Sequence, residues 1–129
     1  MRSLVYLLVA AVALSAGCTK KATMPTEEDG RTLADTFMEM VRTGKAAQAW
    51  EGTSTEFKSA EGKESFVRSV KKRPWLTKKA TFETTTILPA GTTGERAEYV
   101  YRSADSKHHV RLLVASANTG WCIDRIQID

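Results

Sequence analysis

Apolar residues follow three successive patterns along this chain: an unbroken run near the start, a helical period through the middle, and a period of two from residue 79 onward. The run covers residues 4–14 behind the cation Arg2. That is the length of a signal h-region and well short of the about 20 apolar residues a bilayer-spanning helix needs. After a polar or small stretch over residues 19–25, Thr26-Glu27-Glu28-Asp29 has the form of a capping box. Thr32 with Asp35 offers a second helix start, and Gly30 between the two weakens the earlier turn. Leu33, Phe37, Met40 and Val41 then recur at i, i+4, i+7 and i+8, one stripe of an amphipathic helix that Gly44 ends. Ala46, Ala47, Ala49 and Trp50 predict a short second helix, and Phe57 a following turn docked on the core. Phe66, Val67 and Val70 mark a third helix, closed by Lys71-Lys72-Arg73 and stopped by Pro74.

From Lys79 the alternation of Ala80, Phe82, Thr84, Thr86 and Leu88 with Thr81, Glu83, Thr85 and Ile87 predicts a long β-branched strand. Residues 89–94, rich in Gly, Pro and Thr, are expected to form a loop. Ala97, Tyr99 and Tyr101 make one face of a second strand, with a turn at Ala104-Asp105-Ser106-Lys107. Val110, Leu112 and Val114 belong to a third strand, and Asn118-Thr119-Gly120 is a tight hairpin turn. In the last strand the inward parity shifts between Trp121, Ile123 and Ile126, Ile128, which predicts a bulge near Asp124-Arg125. Helices followed by a meander of four antiparallel strands give an α+β layer in which a curved sheet wraps the helices.

Composition agrees with one folded domain: 129 residues, 42% hydrophobic, 26% charged and 3 Pro. Without the first 17 residues, roughly 100 remain for the fold, enough to bury about 60–70% of the unfolded surface. The net charge is +4, one less once Arg2 leaves with a signal. The cations are interspersed with Glu and Asp, with no basic and aromatic face of the kind nucleic acid requires, so no nucleic-acid partner is expected.

The apolar run ends in Leu14-Ser15-Ala16-Gly17-Cys18, and here the chain resembles a bacterial lipoprotein precursor. The resemblance implies a diacylglyceryl thioether on Cys18, cleavage in front of it, and attachment to membrane lipid in the cell envelope. With Thr19 rather than Asp next, it implies the outer membrane of a two-membrane cell. At about 0.8 kcal/mol per buried CH₂, one acyl chain binds reversibly and two or more hold a protein in place. An ordinary secretory signal cut near Ala16, leaving Cys18 as a thiol, is the alternative. Lys20 and Lys21 beside the lipid are either headgroup contacts of about 1 kcal/mol each or a solvated spacer. The mature chain is similar in element order to the NTF2-like, cystatin-like superfamily. The likeness is carried by Arg42-Thr43-Gly44-Lys45, Ala46-Ala47-Gln48-Ala49-Trp50 and Gly120-Trp121-Cys122-Ile123. It implies a cone with a pocket between helix and sheet, used by enzymes, carriers or interaction domains. The expected organisation is residues 1–17 as signal helix, 18–30 as lipidated tether and 31–129 as the NTF2-like domain.

Candidate chemistry is sparse. His108 and His109 are neighbours that point to opposite faces of a strand and cannot share one metal, so no metal or other cofactor is expected. Cys122 lacks a local base to activate it and is expected to pack beside Trp121; with Cys18 committed to lipid, no intrachain disulfide could form. The basic cluster Lys71, Lys72, Arg73, Lys78 and Lys79 is either an anion-binding patch or a solvated helix C-terminus. The leading expectation is a non-catalytic binding or scaffold domain with an envelope protein partner. The alternatives are a carrier of a small apolar ligand, in a pocket formed by Phe37, Met40, Val41, Phe82, Tyr99, Tyr101 and Trp121, or an isomerase-like or cyclase-like enzyme, marked by a polar pair facing the cone.

Overall fold

The computed structural model describes residues 27–91, 94–117 and 120–129. The signal segment, Cys18 and most of the expected tether lie outside the described residues. Four helices, α1 (Glu27–Arg42), α2 (Ala46–Glu51), α3 (Thr55–Ala60) and α4 (Lys63–Lys71), are followed by a 3₁₀ turn at Pro74–Thr77. Four strands complete the chain: β1 (Thr81–Gly91), β2 (Gly94–Arg102), β3 (His109–Ala117) and β4 (Gly120–Ile128). They form one antiparallel meander in the order β1-β2-β3-β4. The molecule is therefore an α+β fold with helices packed on a four-stranded antiparallel sheet.

Helix α1 uses the earlier of the two expected starts and takes up the last residues of the expected tether. Gly30 lies inside the helix for a steric reason: a Cβ there would stand 1.8 Å from the Tyr99 hydroxyl oxygen. The close approach continues at Ala34, which is fully buried, so the buried stripe runs through Ala34, Phe37 and Val41, with Leu33 and Met40 flanking it. The helix closes in a Schellman motif: Gly44 adopts φ +81°, its N–H donates to Val41 O, and Lys45 N–H donates to Met40 O at 2.8 Å. Phe57, expected in a turn, belongs to α3, which Ser54 caps by accepting from Phe57 N–H at 3.1 Å.

The strands extend further than expected, with β1 reaching Gly91 and β2 starting at Gly94; within the expected loop Gly91 pairs with Gly94, after a break in register beyond Leu88. Asp124 is skipped in the β3–β4 pairing, where Leu113 faces Arg125 and Val114 faces Ile123, which places the bulge where the change of parity predicted it. A second irregularity, at Glu83 between Phe82 and Thr84, was not legible in the alternation of β1. The Asp124 bulge also docks the helical layer. Asp124 accepts from Ser54 Oγ at 2.7 Å, Ser54 N–H donates to Ile123 O, and Thr53 bridges to Ile123. Between the layers Phe66 packs against Phe37 and edge-on against Phe57, with ring centroids 6.1 and 5.7 Å away. Val110, Leu112, Val114 and Ile123 complete this core from the sheet.

Candidate functional site

The seven residues expected to line a cone pocket divide into two groups. Phe37, Val41, Tyr99 and Trp121 are buried in the packed core. Met40 and Phe82, partly buried, and Tyr101, which is also a buried member of that core, reach an open groove of about 870 Å³, bounded by α1, the 3₁₀ turn and the start of β1. The physical reason for the division is the close seating of α1 on β2 through Gly30 and Ala34, which leaves the space beneath it filled by Tyr99 and its neighbours. The groove follows α1 from Arg31 to Arg42, about 16 Å at 1.5 Å per residue.

One end of the groove is a neutralised polar cluster. Tyr101 donates to Asp35 Oδ1 at 2.5 Å, and Arg31 Nε pairs with the same oxygen at 3.1 Å. The Arg31 guanidinium lies over the Phe82 ring, 3.5 Å from its centroid, and Phe82 in turn meets Tyr101 edge-on. Burial, reinforced by the hydrogen bond to Asp35, pushes the Tyr101 phenol far above its ordinary value. The cone-facing polar pair expected of an isomerase-like site thus has a counterpart in Asp35 and Tyr101. Burial favours the neutral phenol, and one oxygen of Asp35 meets both Arg31 and Tyr101.

Further along α1, Glu39 and Arg42 form a second ion pair. It holds the Glu39 carboxyl below its ordinary range and raises the Arg42 guanidinium. Lys45, Lys78 and Lys79 line the same groove and make no ion pair with any described residue. Trp75 contributes an aromatic wall that is held in place: its ring stacks on His108 at 4.4 Å with 5° between planes. His108 is fixed in turn by Nδ1, which donates to Asp129 O at 2.9 Å.

The structure divides the expected basic cluster. Lys71 ends α4, Lys72 caps it, and Arg73 folds back to donate to Ser69 O and Oγ at 2.9 and 2.7 Å, while Lys78 and Lys79 face the groove. The histidines part as expected, although His108 precedes β3 rather than lying in it. His109 Nε2 stands 3.6 Å from Glu83. Among the described residues no group of three or more His, Cys, Asp or Glu could hold a metal ion.

Cys122 requires a correction. It is buried beside Trp121 as expected, opposite Ala115 on β3, but its sulfur is in a disulfide. The chain has two cysteines, and an intrachain bridge would have to use Cys18, which lies outside the described residues. Lys78 and Lys79, beside Trp75, belong to the cluster read as either an anion-binding patch or a solvated helix end; Lys45 and Phe82 were not joined to it because they come from other segments of the chain. No family model matches the chain, and no curated protein matches its sequence.

Proposed function

We propose that the protein is a membrane-anchored envelope lipoprotein, held by acyl chains on Cys18, whose NTF2-like domain is a non-catalytic binding module. The observation that carries the reading is the small pair Ala16-Gly17 set directly before Cys18 at the end of an apolar run too short to span a bilayer. The binding half is supported by the groove along α1, which is open, lined by held aromatic groups and rimmed by three lysines with no ion pair among the described residues. In a two-membrane cell, Thr19 after the modified cysteine favours the outer membrane. An envelope protein, or a small molecule in the groove, is the partner.

Metabolic labelling with a radiolabelled fatty acid tests the anchor: wild type takes up label and Cys18→Ala does not. Equal labelling of both removes the anchor. Crosslinking in intact cells tests the binding role, with a recurrent adduct expected at the groove face.

The disulfide at Cys122 favours a second reading, a secreted domain whose Cys18 carries no lipid and bridges to Cys122. A sulfur that carries a glyceride cannot also join a disulfide, so the two readings exclude each other at Cys18. Mass spectrometry of the mature N-terminal peptide separates them. An added glyceride and acyl mass supports the lipoprotein, and a reducible link to the Cys122 peptide supports the secreted form.

A further inference from the structure

The groove holds five cations and two carboxylates, and the two carboxylates are already matched, Asp35 with Arg31 and Glu39 with Arg42. Lys45, Lys78 and Lys79 therefore leave it with uncompensated positive charge. Both arginines, whose planar forks would suit bidentate capture of a carboxylate side chain, are occupied. What remains are flexible lysine point charges, tolerant of headgroup shape. Beside them stand aromatic groups held by neighbours: Trp75 stacks on His108, and Phe82 carries Arg31 over its ring and meets Tyr101 edge-on. A volume of about 870 Å³ lies within the usual range of about 300–1,000 Å³ for small-molecule sites.

We propose that this groove binds an anionic amphiphile, a carboxylate or phosphate headgroup on an apolar chain, with the headgroup met by Lys45, Lys78 and Lys79 and the chain laid along Trp75, Ala80 and Phe82. The inference rests on the reading of the domain as a binding module and is independent of the anchor. Charge complementarity selects this occupant over a neutral apolar ligand, which would leave three lysines without a counterion, and over a free anion, which would leave the aromatic wall unused. Each CH₂ added to the ligand chain tightens binding by up to about fourfold while the wall lasts. Raising the salt concentration weakens the headgroup contribution, because the lysines are exposed and screened.

The test uses the full protein as cells make it, in nanodiscs of neutral phosphatidylcholine, with radiolabelled octanoate followed by equilibrium dialysis against empty nanodiscs. Saturable binding above the empty discs is expected, competed by octyl phosphate and not by octanol or octyltrimethylammonium. The double substitution Lys78→Glu and Lys79→Glu weakens it at least tenfold, with an unchanged circular dichroism spectrum. Competition when phosphatidylglycerol is built into the discs identifies a lipid headgroup as the source, and its absence identifies a free amphiphile. Equal competition by octanol, displacement by inorganic phosphate alone, insensitivity to the double substitution, or no saturable binding each overturns the proposal. Loss of fatty-acid labelling in Cys18→Ala bears on the anchor only, so the two readings fail separately.

Discussion

Replacing Gly30 by alanine sets two effects of opposite sign against each other. In an unencumbered helix interior the change is favourable by about 0.8–1.0 kcal/mol, because glycine loses more backbone freedom on folding. At Gly30 the added Cβ would stand 1.8 Å from the Tyr99 hydroxyl oxygen and 2.7 Å from Cζ. Tyr99 is fully buried, so its ring has no open space to enter, and either α1 lifts from β2 or the ring leaves its rotamer. Overpacking costs about 1–3 kcal/mol, and a contact this short belongs at the top of that range. After the helical gain is subtracted, the net destabilisation is about 2 kcal/mol, or a fall in Tm on the order of 8–16 °C for a domain of this size. Urea unfolding followed by circular dichroism should show a lower midpoint at unchanged slope. The decisive comparison repeats the substitution in a Tyr99→Phe background, where the 1.8 Å contact is gone and the nearest remaining atom is at 2.7 Å. A coupling of at least about 1 kcal/mol is expected, and the cycle cancels whatever Tyr99→Phe costs alone. A neutral or stabilising Gly30→Ala, or an equal cost in both backgrounds, refutes the close-approach account of α1.

Ser54→Ala should cost about 1–2 kcal/mol in thermal melts, since one hydroxyl both caps α3 and donates to Asp124 at the β4 bulge. Phe66→Ala, which empties the centre of the Phe37–Phe66–Phe57 cluster, should cost about 3–5 kcal/mol by denaturant titration. Tyr101 titrates above its unfolded value of about 10, so the stability it contributes is complete below pH 10 and is lost as pH rises past it. In Tyr101→Phe the fall in stability between about pH 10 and 11.5 should therefore be shallower than in wild type, measured as urea midpoints across that range.

The order of elements was legible because each has its own period: three helical segments, four alternating strands, and a change of parity that places the Asp124 bulge. Three features were not. Gly30 counted locally as a defect in a helix start, and its reason lies on β2, about 70 residues away along the chain. The Glu83 bulge leaves no mark in the alternation because Thr81 and Thr84 to Thr86 lie around it, and Thr is at home on either face. For the pocket, hydrophobic pattern identifies residues that face inward but not whether the space they face is filled. Phe37 and Tyr99 satisfy the pattern by closing the interior, whereas Met40 and Phe82 satisfy it while bordering a groove.

Where the groove lies follows from the same packing. Small residues at Gly30 and Ala34 bring the N-terminal half of α1 down onto Tyr99, and this approach removes the space in which an internal ligand would sit. The exposed flank of α1 carries two opposite-charge pairs, Arg31 with Asp35 and Glu39 with Arg42, each satisfied along the helix. A groove bordered by that flank alone would be electrically quiet. It becomes cationic through Lys78 and Lys79, delivered by the segment that joins the 3₁₀ turn to β1, and through Lys45 just beyond the Schellman turn. Self-pairing of the helix charges and import of the lysines from neighbouring segments are separable by mutation. Charge reversal at Lys78 and Lys79 should therefore change the groove's affinity for anions while leaving α1 in place, whereas breaking the solvent-exposed Glu39–Arg42 pair should leave the melting temperature nearly unchanged.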